Sequence, residues 1–148
     1  LTTLTRRLLD LRRQHPVLRQ RHFFVGRSVV EGGRKDLTWV HPLGREMTAS
    51  DWHDPHLVTI GLFLAGDAIR ARGPEGEAIK DQSFLLWLHA GGQDLPVLLP
   101  DVSPTYAEVL RTDRLDQLDR ADEQAPPRHD AGQRLVLTAR SVLLLSAR

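Results

Sequence analysis

The chain has 148 residues, a net charge of +1, 41% hydrophobic residues and no cysteine. This length is typical of one domain that buries its own core, and the balanced charge gives no general attraction to nucleic acid or to a membrane surface. The absence of cysteine excludes disulfides and thiolate metal sites and favours a cytoplasmic location.

The first predicted element is an amphipathic helix over residues 3–14. Pro16 ends it, because proline has no N–H to donate and disfavours helical geometry in the residue before it. The leucine stripe of this helix needs a partner that the later strands are not expected to supply in full, so we expect self-association or a larger neighbour there. The stripe consists of Leu1, Leu4, Leu8 and Leu11. Because the chain opens on this pattern without an initiator methionine, we expect it to be a piece of a longer protein.

Seven short apolar segments follow, separated by Gly and Pro turns. They span residues 36–41, 56–66, 83–90, 95–100, 106–112, 134–139 and 141–147. Their number and their hairpin-length links predict an antiparallel β-sandwich. Residues 113–133 are predicted to form an acidic, mobile loop with at most one helical turn. No apolar run reaches the roughly 20 residues of a membrane span, so no membrane partner is expected.

Charge is distributed unevenly along the chain. Residues 1–35 hold eight arginines and Lys35 against two acids, whereas residues 101–130 hold eight acids against four arginines. A basic first segment could bind an acidic partner. We prefer the simpler interpretation, a helix with a solvated face and a soluble loop, and we predict no nucleic-acid partner.

The sequence contains weak candidates for two kinds of site, a metal site and a pair of hydrolytic carboxyls. The segment "DWHDPH" holds two aspartates and two histidines, which are metal-ligand types, but its proline and aspartates are also ordinary turn formers. Glycoside hydrolysis needs two carboxyls about 5–9.5 Å apart, and the acids here fall singly in predicted loops. We therefore predict no metal, no cofactor and no catalytic residue. The metal-ligand types are Asp51, His53, Asp54 and His56.

Three tryptophans are the most informative single residues. Trp39 is expected to be substantially buried on a strand. Trp87 alternates with the face formed by Phe84, Leu86 and Leu88, so it should cover the other side of the sheet or an interdomain contact. Trp52 lies in a loop and is the better candidate for stacking on a sugar ring, with Trp87 the second candidate.

One long stretch resembles a known family. The segments "KDLTWVHPLGREMTASDWHDPHLVTIGLFLAGDAI" and "DQSFLLWLHAG" closely resemble the C-terminal part of bacterial glycogen debranching enzymes, isoamylase-type members of the α-amylase superfamily. Upstream, "LLDLRRQHPVLRQRHFFVGR" resembles the last helix of that family's (β/α)₈ barrel and the link that leaves it. The final "LVLTARSVLLLSAR" resembles the paired closing strands of the family's C-terminal sandwich.

The resemblance implies that the parent enzyme hydrolyses α-1,6-glucosidic branch linkages in glycogen or limit dextrin. Its catalytic acids lie on barrel strands upstream, so no catalytic role transfers to a residue of this chain. The resemblance also implies two regions, a barrel helix and linker over residues 1–35 and a C-terminal β-sandwich over residues 36–148. The expected partner is the barrel of the same polypeptide. A free-standing carbohydrate-binding module that contacts α-glucan is the alternative.

Overall fold

The computed structural model describes residues 2–29, 31–120 and 125–148. Within these ranges the chain forms one α-helix, eight strands and three short 3₁₀ segments. The helix and strands are α1 (Thr2–Gln14), β1 (Leu37–Val40), β2 (Thr59–Leu64), β3 (Ser83–His89), β4 (Leu95–Leu98), β5 (Thr105–Arg111), β6 (Arg128–Asp130), β7 (Arg134–Leu137) and β8 (Ser141–Ala147). The 3₁₀ segments are Pro16–Arg19, Asp51–His53 and Thr112–Arg120. Over the same ranges, no helical segment combines the length and the hydropathy that a bilayer-crossing helix requires.

The strands form two antiparallel sheets that pack face to face, which confirms the predicted β-sandwich preceded by a helix. Among the described residues, the large sheet has the strand order β1-β2-β3-β8-β5-β6 and the small sheet pairs β4 with β7. The last strand, β8, therefore lies inside the large sheet between β3 and β5. Its nearly unbroken apolar run fits the packing, because the small sheet covers one face of β8 and the cluster under α1 covers part of the other.

The core between the sheets comes from alternate residues of each strand. It contains Phe63, Leu85, Trp87, Leu143 and Leu145 of the large sheet and Val97, Leu135 and Leu137 of the small sheet. Gly61 lies directly opposite Trp87 on the neighbouring strand. A Cβ atom at position 61 would come within 2.9 Å of the Trp87 ring. The indole therefore occupies the space that a side chain at position 61 would need.

A second cluster forms where α1 and the following 3₁₀ segment pack on the outer face of the large sheet. Its buried members are Leu11, Val17, Ile69, Phe84, Leu110 and Leu144. Leu4 also packs against this cluster, whereas Leu8 and Leu9 are 46% and 62% exposed. The sheet therefore covers Leu4 and Leu11, whereas a partner for the exposed Leu8 stays a prediction. Leu1 lies outside the described residues.

The end of α1 is attached to the sandwich by polar contacts. The carboxylate of Asp81 lies 2.9 Å from Nδ1 of His15 and accepts the Val17 backbone N–H at 3.2 Å. The His15 ring also meets Phe84 edge to face, with centroids 4.8 Å apart. The turn that Pro16 imposes on the chain is thus held against the loop before β3.

The link from α1 to β1 is anchored by a buried acid. Asp36 is 1% exposed, and its carboxylate accepts backbone N–H groups of Val25, Gly26 and Leu37 at 3.1, 2.9 and 2.8 Å. Gly26 has φ of +66°, a conformation that glycine adopts at little cost. A single carboxylate therefore fixes how the linker enters the first strand.

The prediction of a loop with at most one helical turn over residues 113–133 misses structure at both ends of that segment. Its first part belongs to the 3₁₀ segment Thr112–Arg120, and β6 adds a three-residue edge strand to β5. This strand contains only Arg128, His129 and Asp130, so it carries no apolar alternation from which it could be predicted. The middle of the segment, residues 121–124, lies outside the described residues.

Candidate functional site

The tryptophan loop, residues 39–52, brings its two terminal aromatic rings together. The rings of Trp39 and Trp52 pack edge to face, with centroids 5.2 Å apart and an interplanar angle of 85°. Trp39 lies on β1 opposite Leu62 and is partly buried, in line with the expected position on a strand. Trp52 lies in the 3₁₀ turn Asp51–His53 and is 49% exposed.

Backbone hydrogen bonds turn the chain back on itself in the first half of the loop. The Gly44 N–H donates to the His41 carbonyl at 2.8 Å, and the Met47 N–H donates to the Trp39 carbonyl at 2.9 Å. Gly44 has φ of +77°, so the turn suits a residue without a side chain. The Pro42 carbonyl accepts the Leu98 N–H at 2.8 Å and thereby joins the loop to the small sheet.

Hydrogen bonds to Asp51 hold the second half of the loop. The Arg45 guanidinium donates to both carboxylate oxygens, at 2.5 and 2.9 Å. The Thr48 backbone N–H and hydroxyl donate to the same carboxylate at 2.7 and 2.9 Å. The hydrogen bonds from Arg45, followed by that from the Thr48 backbone, hold the pKa of Asp51 well below its usual value. Asp51 in turn raises the pKa of Arg45.

The candidate metal ligands in "DWHDPH" take part in turn contacts. Asp51 binds Arg45, Nδ1 of His53 lies 2.8 Å from the Ala49 carbonyl, and Asp54 accepts the His56 backbone N–H at 2.8 Å. In the part of the chain that the structure describes, no group of three or more His, Cys, Asp or Glu residues is placed to hold a metal ion.

Acids near the edge strand β6 are also bound by neighbouring side chains. Glu108 lies 3.1 Å from Nε2 of His129 and 3.4 Å from Arg111. Burial acts to lower the pKa of Arg111, but its hydrogen bond to Asp113 and the charge of Glu108 outweigh burial and leave that pKa raised. These acids act in the structure as partners of neighbouring side chains and backbone groups.

Beside the cluster under α1, the outer face of the large sheet carries an uncovered apolar row. Ile60, Leu88 and Val142 lie directly opposite one another on β2, β3 and β8. They line a shallow depression of about 550 Å³ together with Val58, which is 47% exposed. The apolar area of this depression is small, and exposed apolar groups of this extent are common on soluble domains.

The second predicted sugar contact, Trp87, lies elsewhere. Its side chain is 0% exposed in the core between the sheets. This burial leaves no face of the indole accessible to a sugar. The prediction that Trp87 covers the other side of the sheet from Phe84 and Leu86 agrees with this placement, and Trp52 remains as the candidate for stacking.

The basic first segment is partly compensated within the chain. Arg34 binds Asp67 at 3.1 Å and lies over the Phe63 ring, 5.6 Å from its centroid. Lys35 binds Glu46 at 2.5 Å. These contacts neutralise part of the basic charge within the chain, and binding of an acidic partner stays an untested prediction.

Comparison with known proteins gives a sequence relationship. No family model matches the chain. It is 38% identical over 101 residues to proteins named glycogen operon protein GlgX homolog from Mycobacterium bovis and from two strains of Mycobacterium tuberculosis. The chain is related to one part of these proteins. The match covers 68% of this chain and 14% of each relative.

Proposed function

We propose that this chain is the non-catalytic C-terminal portion of a cytoplasmic glycogen debranching enzyme. In this proposal the parent enzyme hydrolyses α-1,6-glucosidic branch linkages in glycogen or limit dextrin. The sandwich and α1 support a (β/α)₈ barrel that belongs to the same polypeptide. The name of the relatives, which places them in a glycogen operon, supports the glycogen connection. The resemblance of residues 35–69 to debranching enzymes supports the reaction.

The observation that carries this proposal is that α1 has leucines on two sides and the sheet buries only one of these sides. Leu11 is 7% exposed against the sheet, whereas Leu9 is 62% exposed on the same helix. A surface helix normally places its apolar residues on the covered side. Two outward-facing leucines therefore favour a further layer packed on α1, as expected for a helix that lies between a sandwich and a barrel.

Three carboxylates of this chain are bound by groups of the fold, which supports a site of hydrolysis outside this chain. A glycosidase places two carboxyls across an open cleft. Here Asp36 is buried under the linker, Asp51 binds Arg45, and Asp81 is attached to the end of α1. Each of these carboxylates satisfies donors of the fold and is not available to protonate or attack a glycosidic bond.

The test uses this chain and the upstream barrel region of its gene as separate polypeptides. We expect this chain alone to release no reducing ends from limit dextrin, and we expect the two polypeptides to associate in solution. Leu8→Asp combined with Leu9→Asp should weaken that association about tenfold or more, the loss typical of a disrupted apolar contact. Association is measured by titration calorimetry.

The control is Val136→Asp, which introduces one negative charge on the small sheet, against two in the helix variant, at a residue that is 53% exposed. We expect this variant to associate normally. Hydrolysis of limit dextrin by this chain alone would refute the non-catalytic assignment. Equal weakening by Val136→Asp and by the helix variant would refute the proposed contact through α1.

A further inference from the structure

We infer that Trp52 is a contact site for an α-glucan chain, separate from the site of hydrolysis, at which the indole stacks on a glucose ring. The choice of an α-glucan rests on the proposed function. The placement of the indole rests on the tryptophan loop alone. Pyranose rings have apolar C–H faces, and a flat exposed aromatic ring can cover such a face.

The geometry of the tryptophan pair leaves a face of Trp52 open. In an edge-to-face pair one ring directs its edge at the face of the other. If Trp39 directs its edge at Trp52, it covers one face of Trp52; in the reverse arrangement it covers neither. In both cases Trp39 leaves at least one face of Trp52 uncovered, and the 49% exposure of Trp52 agrees with this conclusion.

The loop also holds Trp52 in place before any ligand binds. Asp51, the residue before it, is held by Arg45 and by Thr48. His53, the residue after it, contacts the Ala49 carbonyl at 2.8 Å. Together with the contact to Trp39, these backbone contacts restrict the positions open to the indole, and a restricted ring loses less conformational freedom on binding.

The surroundings of Trp52 suit a neutral polyhydroxyl ligand. The tryptophan is flanked in sequence by the exposed polar residues Ser50, His53 and Asp54, whose side chains are hydrogen-bonding types that sugar hydroxyls can meet. The side chains of the uncovered apolar row, Ile60, Leu88 and Val142, are aliphatic instead and offer no flat ring. The two surfaces thus differ in chemistry, and Trp52 is the one with an aromatic platform among polar groups.

The experiment measures retardation of the protein in native gels that contain glycogen, together with the tryptophan fluorescence during titration with maltoheptaose. We expect saturable retardation that barely changes between low and high salt, because the ligand is uncharged. Trp52→Ala should raise the apparent dissociation constant about tenfold, and Trp52→Phe should raise it less, because phenylalanine keeps a smaller platform. Cellohexaose, a β-linked glucan, tests the preference for α-linkage and should bind more weakly.

The control variant is Leu43→Ala, which removes another exposed apolar side chain, 63% exposed, from the same loop. We expect it to bind glycogen like the unchanged protein, and thermal unfolding of every variant shows whether the sandwich is intact. The inference is overturned if the folded protein is not retarded by glycogen. It is also overturned if Trp52→Ala binds as well as the unchanged protein, or if Trp52→Ala instead weakens association with the barrel region. None of these results affects the limit-dextrin assay or the helix variants that test the proposed function.

Discussion

At the scale of single residues, the tryptophan loop depends on one carboxylate. Asp51 accepts two hydrogen bonds from Arg45 and two from Thr48, and so closes the segment between the two tryptophans. Hydrogen bonds to an ionised group are stronger than those between neutral groups. The position of Trp52, the next residue, therefore depends on the charge of its neighbour.

This dependence predicts an effect of pH on stability. Because the folded-state pKa of Asp51 lies below its usual value, its stabilising effect is complete above the unfolded-state pKa of about 4 and is lost as the pH falls further. We expect Asp51→Asn to unfold at a lower temperature than the unchanged protein at neutral pH. The difference should shrink steadily below about pH 4. Thermal unfolding across this pH range measures it.

Asp54→Asn is the control, because its amide oxygen can still accept the His56 N–H that Asp54 binds. We expect its difference from the unchanged protein to stay small at every pH. A difference for Asp51→Asn that does not change with acidification would contradict the assigned charge dependence.

At the scale of elements, α1 is covered by the large sheet on one side and exposed on the other. The side with Leu4 and Leu11 completes the cluster on the large sheet. The contact between His15 and Asp81 then fixes the direction in which the chain leaves the helix. Most helix stability in proteins comes from the packing of such a face and not from propensity, so α1 should owe its stability to the sheet beneath it.

This asymmetry predicts opposite behaviour for two leucines two residues apart. Leu11→Ala removes a buried side chain and should lower the free energy of unfolding by about 2–4 kcal/mol. Leu9→Ala changes an exposed side chain and should lower it by less than about 0.5 kcal/mol. Urea unfolding measures both values. Equal losses for the two variants would show that α1 does not pack on the sheet through Leu11.

At the scale of the whole molecule, the core of the sandwich contains a large indole ring that packs against a glycine. Trp87 is fully buried between the sheets and faces Gly61 across β2 and β3. Val40, on the next strand, would lie 3.0 Å from a Cβ atom at position 61. Since protein interiors are packed like crystals, neither neighbour has free space into which it could move.

Gly61→Ala should therefore destabilise the whole sandwich by about 1–3 kcal/mol through overpacking. The matched control is Gly92→Ala at an exposed bend, where an added Cβ meets no atom within 4 Å among the described residues. Urea unfolding of both variants checks the prediction. A loss for Gly61→Ala no larger than that for Gly92→Ala would contradict the tight packing of Trp87.

Local patterns in the sequence were sufficient to locate most elements. Pro16 ends the predicted helix, and each of the seven apolar segments contains a strand. These elements depend on short-range features, namely backbone geometry and side-chain periodicity, which are present in the sequence itself. The strand β6 was missed because its three polar residues become a strand only by pairing with β5.

Only the tertiary structure decided which apolar faces meet. Both faces of β3 are apolar, so periodicity cannot tell whether Trp87 or Leu86 points to the core between the sheets. The packing of the small sheet on one face and α1 on the other makes that choice. The contact of Trp39 with Trp52 is likewise a property of the folded loop, because side chains 13 residues apart meet only when Arg45 and Asp51 draw the chain together. The sequence by itself determined where the helix and most strands lie, since local physics sets them, and long-range packing determined the core and the candidate site.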